Sequence, residues 1–205
     1  MARGSLLLYG GSFNPIHNGH LIIARAATEQ LGIERTILIP SAAPPHKANS
    51  DLASPEDRLE MVRLAIAGEP GFEVSDIELH RQGPSYTILT IEAYRRELGS
   101  DVQLYWLIGG DTLPELGTWY RVGELVDLCR IVTASRPGFE APDLSPLLTV
   151  LTPAQIERLR GGMIKTPLVD ISATQVRQRV REGQSLSGLV PDRVAEYVLR
   201  HGLYR

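Results

Sequence analysis

The segment of residues 6–20, LLLYGGSFNPIHNGH, constrains the fold of this chain more than any other feature. A hydrophobic run typical of a buried strand enters a Gly10-Gly11 turn, and a helix follows with His17 and His20 on the same side of its first turns. Glycine allows a tight turn and lets a ligand approach the backbone closely. Helix N-termini present unpaired N–H groups and a partial positive charge, so phosphate binds there readily. The segment therefore predicts a strand–turn–helix unit with an anion site after the strand.

The rest of the chain continues this alternation of strands and helices. Predicted strands cover 6–10, 35–40, 72–75, 102–108, 130–134 and 168–170. Predicted helices cover 17–31, 54–67, 85–98, 122–128, 172–182 and 192–201, with a helical stretch after Asp111 and a Pro-rich loop at 136–146. Ser54, Ser85 and Ser172 are the predicted N-caps of their helices. Near-continuous apolar strands that alternate with helices predict an α/β fold, in which a doubly wound parallel sheet carries helices on both faces and a small helical extension ends the chain.

In such a sheet, ligands bind beyond the carboxyl ends of the strands, near the point where the strand order reverses. The turn at Gly10, the loop 41–51 after the second strand, the segment 109–111 and the turn before Ser172 are all predicted to lie at that edge. The sequence therefore predicts that its unusual residues meet in one site.

Composition excludes several classes of protein. With 205 residues, a net charge of −3 and a pI near 6.0, the chain has no general attraction for nucleic acid or for an anionic membrane. No apolar run approaches the length of a membrane span, and the N-terminus leads directly into a strand, so we expect no signal peptide and a cytoplasmic location. Cys129, the single cysteine, cannot form an internal disulfide and is predicted to be a small buried residue.

A second anion site is predicted at residues 171–177, ISATQVR, where a helix begins. Ser172 suits the N-cap, and Arg177 follows Thr174 by one helical turn on the same face. The planar guanidinium of arginine matches the geometry of phosphate oxygens. Two anion-binding helix starts in one chain indicate that a polyphosphate is held between them, although a purely capping role for Ser172 remains an alternative.

Three further segments could hold the rest of a nucleotide. Asp111, after a strand and two glycines, could accept from ribose hydroxyls or could cap a helix. Trp119 could stack on a positively charged aromatic ring or could be a packing residue. Backbone N–H groups near Thr87 could bind a small carboxylate, because position 88 has no acidic residue to complete a capping box. The loop 41–51, with PPHK at 44–47, could be a lid or a plain connector.

Together and in this order, GGSFNPIHNGH, PPHK, SYT, IGGDTLPELGTWY, ISATQVR and the closing VLRHGLY resemble the bacterial nicotinate-nucleotide adenylyltransferases. HNGH and ISATQVR are typical of the wider HxGH nucleotidyltransferase superfamily, whereas PPHK, SYT and GGD…TWY point to this family. Ala173 stands where the superfamily usually has Ser, and Asn14 stands where many relatives have Asp. The resemblance spans nearly the whole chain. It implies a Rossmann-like fold and a single nucleotidyltransferase domain over 1–205, with its C-terminal helical part from about 171.

The resemblance implies transfer of AMP from ATP to nicotinic acid mononucleotide, giving nicotinic acid adenine dinucleotide and pyrophosphate in NAD biosynthesis. It implies that His17 and His20 are the catalytic residues. Implied ATP contacts are Gly10, Gly11, Ser12, Phe13, His17, Gly19, His20, Gly109, Asp111, Ile171, Ser172, Thr174 and Arg177. Implied mononucleotide contacts are Asn14, His46, Lys47, Thr87, Trp119, Tyr120 and Arg136. Mg²⁺ would arrive with ATP, because no clustered carboxylates suggest a metal site of the protein's own, and a homo-oligomer is compatible with the resemblance.

Such a reaction needs no protein nucleophile, because the attacking group is already a phosphate anion. The sequence shows no Ser-His-Asp or Cys-His arrangement. Three other readings are weighed against it: a related transferase that uses nicotinamide mononucleotide or pantetheine phosphate, a class I aminoacyl-tRNA synthetase, and a non-catalytic nucleotide sensor. The chain lacks a KMSKS-like loop, which argues against the synthetase. The intact His17, His20 and Arg177 argue against the sensor.

Overall fold

The structure is a computed structural model, and it describes residues 4–44, 51–135 and 143–205. The strands are β1 (Ser5–Gly11), β2 (Arg35–Pro40), β3 (Phe72–Val74), β4 (Gln103–Gly109), β5 (Arg130–Ser135) and β6 (Met163–Lys165). The α-helices are α1 (Asn18–Leu31), α2 (Pro55–Ala65), α3 (Thr87–Leu98), α4 (Val122–Leu128), α5 (Pro153–Arg160), α6 (Ala173–Arg181) and α7 (Asp192–Arg200). Segments of 3₁₀ helix cover Gly110–Thr118 and Ser145–Thr149.

The six described strands form one parallel sheet in the order β3-β2-β1-β4-β5-β6. From β1 to β3, successive strands lie progressively nearer one edge of the sheet. The chain then returns to the centre, where β4 pairs with β1, and β5 and β6 follow toward the other edge. This reversal leaves a crevice between the carboxyl ends of β1 and β4, which is where such sheets bind ligands. The predicted doubly wound α/β fold is therefore confirmed.

Helices cover both faces of the sheet, which explains the near-continuous apolar strands. Successive strand residues point to opposite faces. On one face, Leu6 and Leu8 of β1 lie in a hydrophobic cluster with residues of α3, α4 and α5. On the other face, Leu7 packs with residues of α1, while Leu38 of β2 joins a cluster that includes residues of α2, α6 and α7. The C-terminal helices therefore share a core with the second strand.

Several predicted helix boundaries are confirmed by their caps. Gly32 ends α1 in the left-handed conformation, at a φ of 61°. The Ser54 hydroxyl accepts from the Asp57 N–H at 3.0 Å, with Pro55 in the first helical position. The Ser172 hydroxyl accepts from the Gln175 N–H at 3.1 Å, so Ser172 is the N-cap of α6 as predicted.

The predicted cap of α3 is wrong. Tyr86, rather than Ser85, is the N-cap, and the Tyr86 side chain makes no capping hydrogen bond. The Ser85 hydroxyl instead accepts from the Ala43 N–H at 3.2 Å, and the Ser85 N–H donates to the Ala43 carbonyl at 3.0 Å. Ser85 therefore joins the start of α3 to the segment after β2, and the helix begins two residues later than expected.

The predicted strand at 168–170 is also wrong. The edge beside β5 is occupied by β6 at Met163–Lys165, so the later segment finds no strand to pair with. Helix α5 was not predicted, although Thr152 and Gln155 form a reciprocal capping box that the sequence pattern T-x-x-Q could have indicated. The expected loop 136–146 overlaps the 3₁₀ segment that starts at Ser145, and its residues 136–142 lie outside the described ranges.

Two further expectations concern Cys129 and membrane spans. Cys129 is 4% exposed, and burial raises the pKa of its thiol to about 12, so it is the inert buried residue that was predicted. Within the ranges that the structure covers, no helix has both the length and the apolar composition needed to cross a bilayer.

Candidate active site

A cavity of about 1160 Å³ opens at the carboxyl ends of β1 and β4. It exceeds the roughly 300–1,000 Å³ of a typical ligand pocket, so it suits an extended ligand rather than a single small ring. Every predicted site residue that the structure describes lines this cavity: Gly10, Gly11, Ser12, Phe13, Asn14, His17, Gly19, His20, Thr87, Gly109, Asp111, Trp119, Tyr120, Ile171, Ser172, Thr174 and Arg177. His46, Lys47 and Arg136 lie outside the described residues, so their roles stay predictions.

Close packing of the protein itself requires glycine at two of these positions. A Cβ added to Gly10 would lie 2.3 Å from the ring of Trp106 in β4. A Cβ added to Gly19 would lie 2.8 Å from a methyl of Val169 and 2.9 Å from Nδ1 of His17. Such distances are far below van der Waals contact. The glycines thus let β4 and the segment before α6 approach the turn, in addition to any approach by a ligand.

His17 and His20 stack on each other, with ring centroids 3.7 Å apart. The backbone N–H of His17 donates to Nδ1 of His20 at 3.2 Å, which places the proton of a neutral His20 ring on Nε2. His17 is 6% exposed, and burial lowers its pKa to about 4. Its Nδ1 is buried without a hydrogen-bond partner among the described residues. At neutral pH, His17 is therefore an uncharged imidazole with an unsatisfied polar atom at the cavity.

The first turn of α1 offers fewer free N–H groups than expected. The Asn18 N–H donates to the Leu189 carbonyl at 2.8 Å, and the His20 N–H donates to the His17 carbonyl at 2.9 Å. The N–H of Gly19 has no partner in the described part of the chain. An anion at this helix start would therefore meet one free backbone donor together with the two imidazoles.

The start of α6 also lines the cavity. The N–H groups of Ala173 and Thr174 have no hydrogen-bond partner within the described ranges. The Arg177 guanidinium donates to the Asn14 carbonyl at 2.9 Å and to the Thr174 hydroxyl at 3.4 Å. Its Nε is buried and has no hydrogen-bond partner among the residues that the structure describes. Free amides beside a guanidinium with an unused donor are groups that suit an anion, and the second anion site at this helix start stays a prediction.

Asn14 is a structural junction at the cavity edge and is 6% exposed. Its side-chain NH₂ donates to the Asp51 carbonyl at 2.7 Å. Its side-chain oxygen accepts from the Ala53 N–H at 3.0 Å and from the Tyr204 hydroxyl at 2.8 Å. Because both ends of the amide are already bonded, Asn14 ties the turn after β1 to the start of α2 and to the C-terminus.

The side of the cavity near α3 combines aromatic rings with free amides. Trp119 is half-buried, and its backbone follows the 3₁₀ segment Gly110–Thr118. Tyr120 is 51% exposed, and its ring lies 4.7 Å from that of Tyr86. The backbone N–H groups of Thr87 and Tyr120 have no hydrogen-bond partner among the described residues. An aromatic ring that carries a carboxylate would find both a stacking surface and donors there.

Asp111 is exposed at the cavity and lies in the first turn of the 3₁₀ segment Gly110–Thr118, whose N-cap is Gly109. Burial, with a further contribution from the Asp111 carboxylate, raises the pKa of Tyr9 well above its usual range. The Tyr9 phenol thus stays protonated, with its ring packed edge-on against Phe13 at 5.5 Å. No group of three or more His, Cys, Asp or Glu side chains that could hold a metal ion occurs in the described ranges.

Sequence reasoning missed two residues that shape this site, Arg58 and Tyr204. Arg58 is fully buried and bonds to the Ser12 carbonyl in the turn after β1. A signal existed, because Arg58 shares a helix face with Val62 and Ala65 at positions i+4 and i+7, where an apolar residue is expected. Tyr204 lies 190 positions from Asn14 in the sequence, and no local pattern could have indicated their contact.

Comparison with known proteins assigns the chain to a family. The family model described as cytidylyltransferase-like matches residues 8–179, which include both helix starts predicted to bind anions. The chain therefore belongs to the cytidylyltransferase-like family.

Full-length relatives narrow the assignment. A probable nicotinate-nucleotide adenylyltransferase of Dehalococcoides mccartyi (strain ATCC BAA-2266 / KCTC 15142 / 195) is 40% identical over 197 residues, covering 96% of this chain and 95% of the relative. One of Yersinia pestis (strain Pestoides F) is 41% identical over 208 residues, covering 97% and 94%. Within the larger family, the chain thus belongs to the nicotinate-nucleotide adenylyltransferases, as the motifs implied.

The fold agrees with this assignment. Plasmodium falciparum nicotinic acid mononucleotide adenylyltransferase, solved in complex with NaAD, matches with a TM-score of 0.77 over 98% of both chains at 16% identity. At that identity the likeness shows a shared fold.

Proposed function

We infer that this protein transfers AMP from ATP to nicotinic acid mononucleotide, releasing pyrophosphate and forming nicotinic acid adenine dinucleotide in NAD biosynthesis. The observation that carries the inference is that one cavity joins the His17–His20 turn, the start of α6 and the Trp119 segment. The full-length relatives at about 40% identity support the same reaction.

The chemistry follows from the charges that line the cavity. A phosphate oxygen of the mononucleotide attacks the α-phosphorus of ATP, the bond to the bridging oxygen breaks, and pyrophosphate leaves with its electron pair. Both reactants are anions, so the protein has to hold them in line and stabilise the charge that develops on the leaving group. Arg177 and the free amides of α6 supply positive potential, and the neutral His17 ring and Nε2 of His20 supply hydrogen-bond donors. We propose that Mg²⁺ enters with ATP.

The other end of the cavity suits the nicotinate ring. We propose that Trp119 stacks on the pyridinium and that the N–H groups of Thr87 and Tyr120 hold its carboxylate. A carboxylate only accepts hydrogen bonds, whereas an amide brings an NH₂ donor that would face those N–H groups unpaired. The acid mononucleotide is therefore preferred over the amide.

Pyrophosphate release with ATP and a panel of phosphorylated acceptors tests the proposal. We expect kcat/KM for nicotinic acid mononucleotide to exceed that for nicotinamide mononucleotide by about 10²–10⁵, because a mispaired polar site is costly. Pantetheine phosphate should not be a substrate. Equal kcat/KM for the acid and the amide would contradict the proposed carboxylate site, and ATP binding without turnover would favour a nucleotide sensor.

Replacing one imidazole tests the phosphate side of the site. His20→Ala should lower kcat by about 10²–10³, as expected for the loss of one transition-state donor. His80→Ala is the matched control, because His80 is exposed, pairs with Asp76 at 3.2 Å and does not line the cavity. Normal turnover in a His20→Ala protein with an intact circular dichroism spectrum would exclude the role assigned to His20.

A further inference from the structure

Arg58 is the most unusual buried residue outside the motifs. It has a relative exposure of 0%, yet it carries a guanidinium, which is almost never fully buried without a partner. It lies in the first turn of α2, behind the turn that follows β1.

The guanidinium bonds to three backbone carbonyls from three different segments. It donates through Nη1 to Ser12 at 2.8 Å, through Nε to Ala53 at 3.0 Å and through Nη2 to Ala42 at 3.3 Å. Each carbonyl belongs to a segment that contributes residues to the cavity wall. One side chain thus joins the turn after β1, the segment after β2 and the approach to α2.

The charge of Arg58 is not neutralised by an ion pair. In the described ranges, none of the salt bridges involves its guanidinium. Burial lowers the pKa of Arg58, with Tyr204 and Glu56 opposing that shift from a distance. A buried charge without a counterion is costly. A polyanion bound nearby would offset this cost, because its negative charge would interact favourably with the positive guanidinium behind the turn.

The bond to Ser12 also sets the direction of the next amide. In a trans peptide the C=O and the N–H point in opposite directions. With the Ser12 oxygen held by Arg58, the N–H of Phe13 points away from the guanidinium. Phe13 itself has a φ of +43°, a conformation that is uncommon for a bulky residue and that the surroundings must hold in place.

We propose that Arg58 is a positioning residue for the triphosphate: it holds the Ser12 carbonyl so that the Phe13 N–H faces the cavity, and it places a positive charge behind that turn. This inference rests on the proposed function for the presence of a triphosphate, but it does not depend on the transfer of AMP.

Inorganic tripolyphosphate, measured as an inhibitor competitive with ATP and by direct calorimetry, provides the test. Arg58→Lys keeps a positive charge but cannot reach three carbonyls with a planar fork. We expect the Kd for tripolyphosphate and the KM for ATP to rise about tenfold to a hundredfold, in line with the cost of a misplaced binding group. The KM for the mononucleotide should change less than threefold. Since the binding measurement needs no turnover, it tests Arg58 even if no acceptor is used.

Met61→Ala is the matched control, because Met61 is equally buried in α2, has no side-chain donor to hold the Ser12 carbonyl and is not part of the cavity wall. If Met61→Ala lowers the melting temperature as much as Arg58→Lys and weakens tripolyphosphate binding equally, Arg58 is a stabilising residue and the proposal fails. Unchanged binding in Arg58→Lys overturns it as well.

A measurement on the unaltered protein covers the case in which Arg58 variants do not fold. Tripolyphosphate should shift the ¹⁵N–¹H resonance of Phe13 along with those of Gly19 and Ala173. If the resonances of Gly19 and Ala173 shift but that of Phe13 does not, the Ser12–Phe13 peptide does not face the ligand. That result would rule out the role given to Arg58.

Discussion

At the residue scale, the environment of each imidazole decides what it can do. His17 and His20 are three positions apart and stack on each other, but their nitrogen atoms have different partners. The backbone N–H of His17 defines the tautomer of a neutral His20 ring, whereas Nδ1 of His17 is buried and unpaired within the described ranges. Burial keeps His17 neutral over the physiological range. His17 therefore offers hydrogen bonding at the cavity as an uncharged ring.

The lowered pKa of His17 predicts a pH dependence of stability. The unfolded chain takes up a proton on His17 near pH 6.5, but the folded protein does so only near pH 4, so stability is lost as the pH falls between these values. The loss amounts to about 3 kcal/mol in the free energy of unfolding. Urea titrations from pH 7 to pH 4 should show a shallower decline for His17→Gln than for the unaltered protein.

His80→Gln provides the comparison for that experiment, because His80 is exposed and pairs with Asp76. The free energy of unfolding of His80→Gln should fall with decreasing pH as steeply as that of the unaltered protein. A decline of equal slope in all three proteins would mean that His17 is protonated in the folded state well above pH 4.

At the element scale, short segments after the strands place the aromatic side of the site. The chain leaves β4 through a 3₁₀ segment, Gly110–Thr118, rather than a regular α-helix. Pro114 lacks an N–H and so disfavours a continuous α-helix. The segment ends at Trp119, whose N–H donates to the Leu116 carbonyl at 3.0 Å. Trp119 and Thr87, at the start of α3, both line the cavity.

This placement predicts a selective effect of Trp119→Ala. The KM for nicotinic acid mononucleotide should rise about 10–10²-fold, because stacking on a base-like ring is worth about 1–3 kcal/mol. The KM for ATP should change little. Trp119→Phe keeps a ring and should recover part of the loss in steady-state kinetics.

Leu113→Ala controls for stability, because Leu113 is fully buried in the same 3₁₀ segment and does not line the cavity. It should lower the melting temperature with both KM values near normal. If Trp119→Ala behaves in the same way, Trp119 is a packing residue and does not bind the ring.

At the scale of the whole molecule, residues far apart in the sequence meet at the site. The Tyr204 hydroxyl donates to Asn14, so the C-terminus supports the turn that follows the first strand. Arg177 of α6 donates to the carbonyl of the same Asn14. Burial raises the pKa of Tyr204 well above its usual range, although Arg58 and Arg177 oppose the shift. The C-terminal helices therefore take part in the geometry of the phosphate side.

Tyr204→Phe should disturb the phosphate side of the site indirectly, through the lost bond to Asn14. Loss of one partly buried hydrogen bond should lower the free energy of unfolding by about 1 kcal/mol. Because Asn14 keeps its bond from the Ala53 N–H, the turn should loosen rather than unfold, and the KM for ATP should rise several-fold. Chemical denaturation and steady-state kinetics would measure both effects.

Tyr197→Phe is the paired variant, since the Tyr197 hydroxyl donates to the Asp57 carboxylate at 2.9 Å rather than to Asn14. It should cost comparable stability with an unchanged KM for ATP. An equal rise in that KM for both variants would indicate a general loosening of the C-terminal helices.

The sequence by itself determined the parts of this protein that depend on local interactions. Hydrophobic periodicity placed most strands and helices, and Gly32, Ser54 and Ser172 marked helix ends because their caps are made within a few residues. The rule that ligands bind at the carboxyl ends of parallel strands then brought the motifs to one edge, and the cavity is lined by those motifs.

Tertiary structure alone decided the features that depend on contacts between distant segments. The edge beside β5 accepts one strand, so pairing with β6 excluded a strand at 168–170. Ser85 bonds to Ala43 rather than capping α3, and Arg58 is buried because three carbonyls from separate segments converge on it. The bond from Tyr204 to Asn14 joins two residues at the site that are 190 positions apart in the sequence. Local propensity carries no information about such partners, because they exist only once the chain has folded.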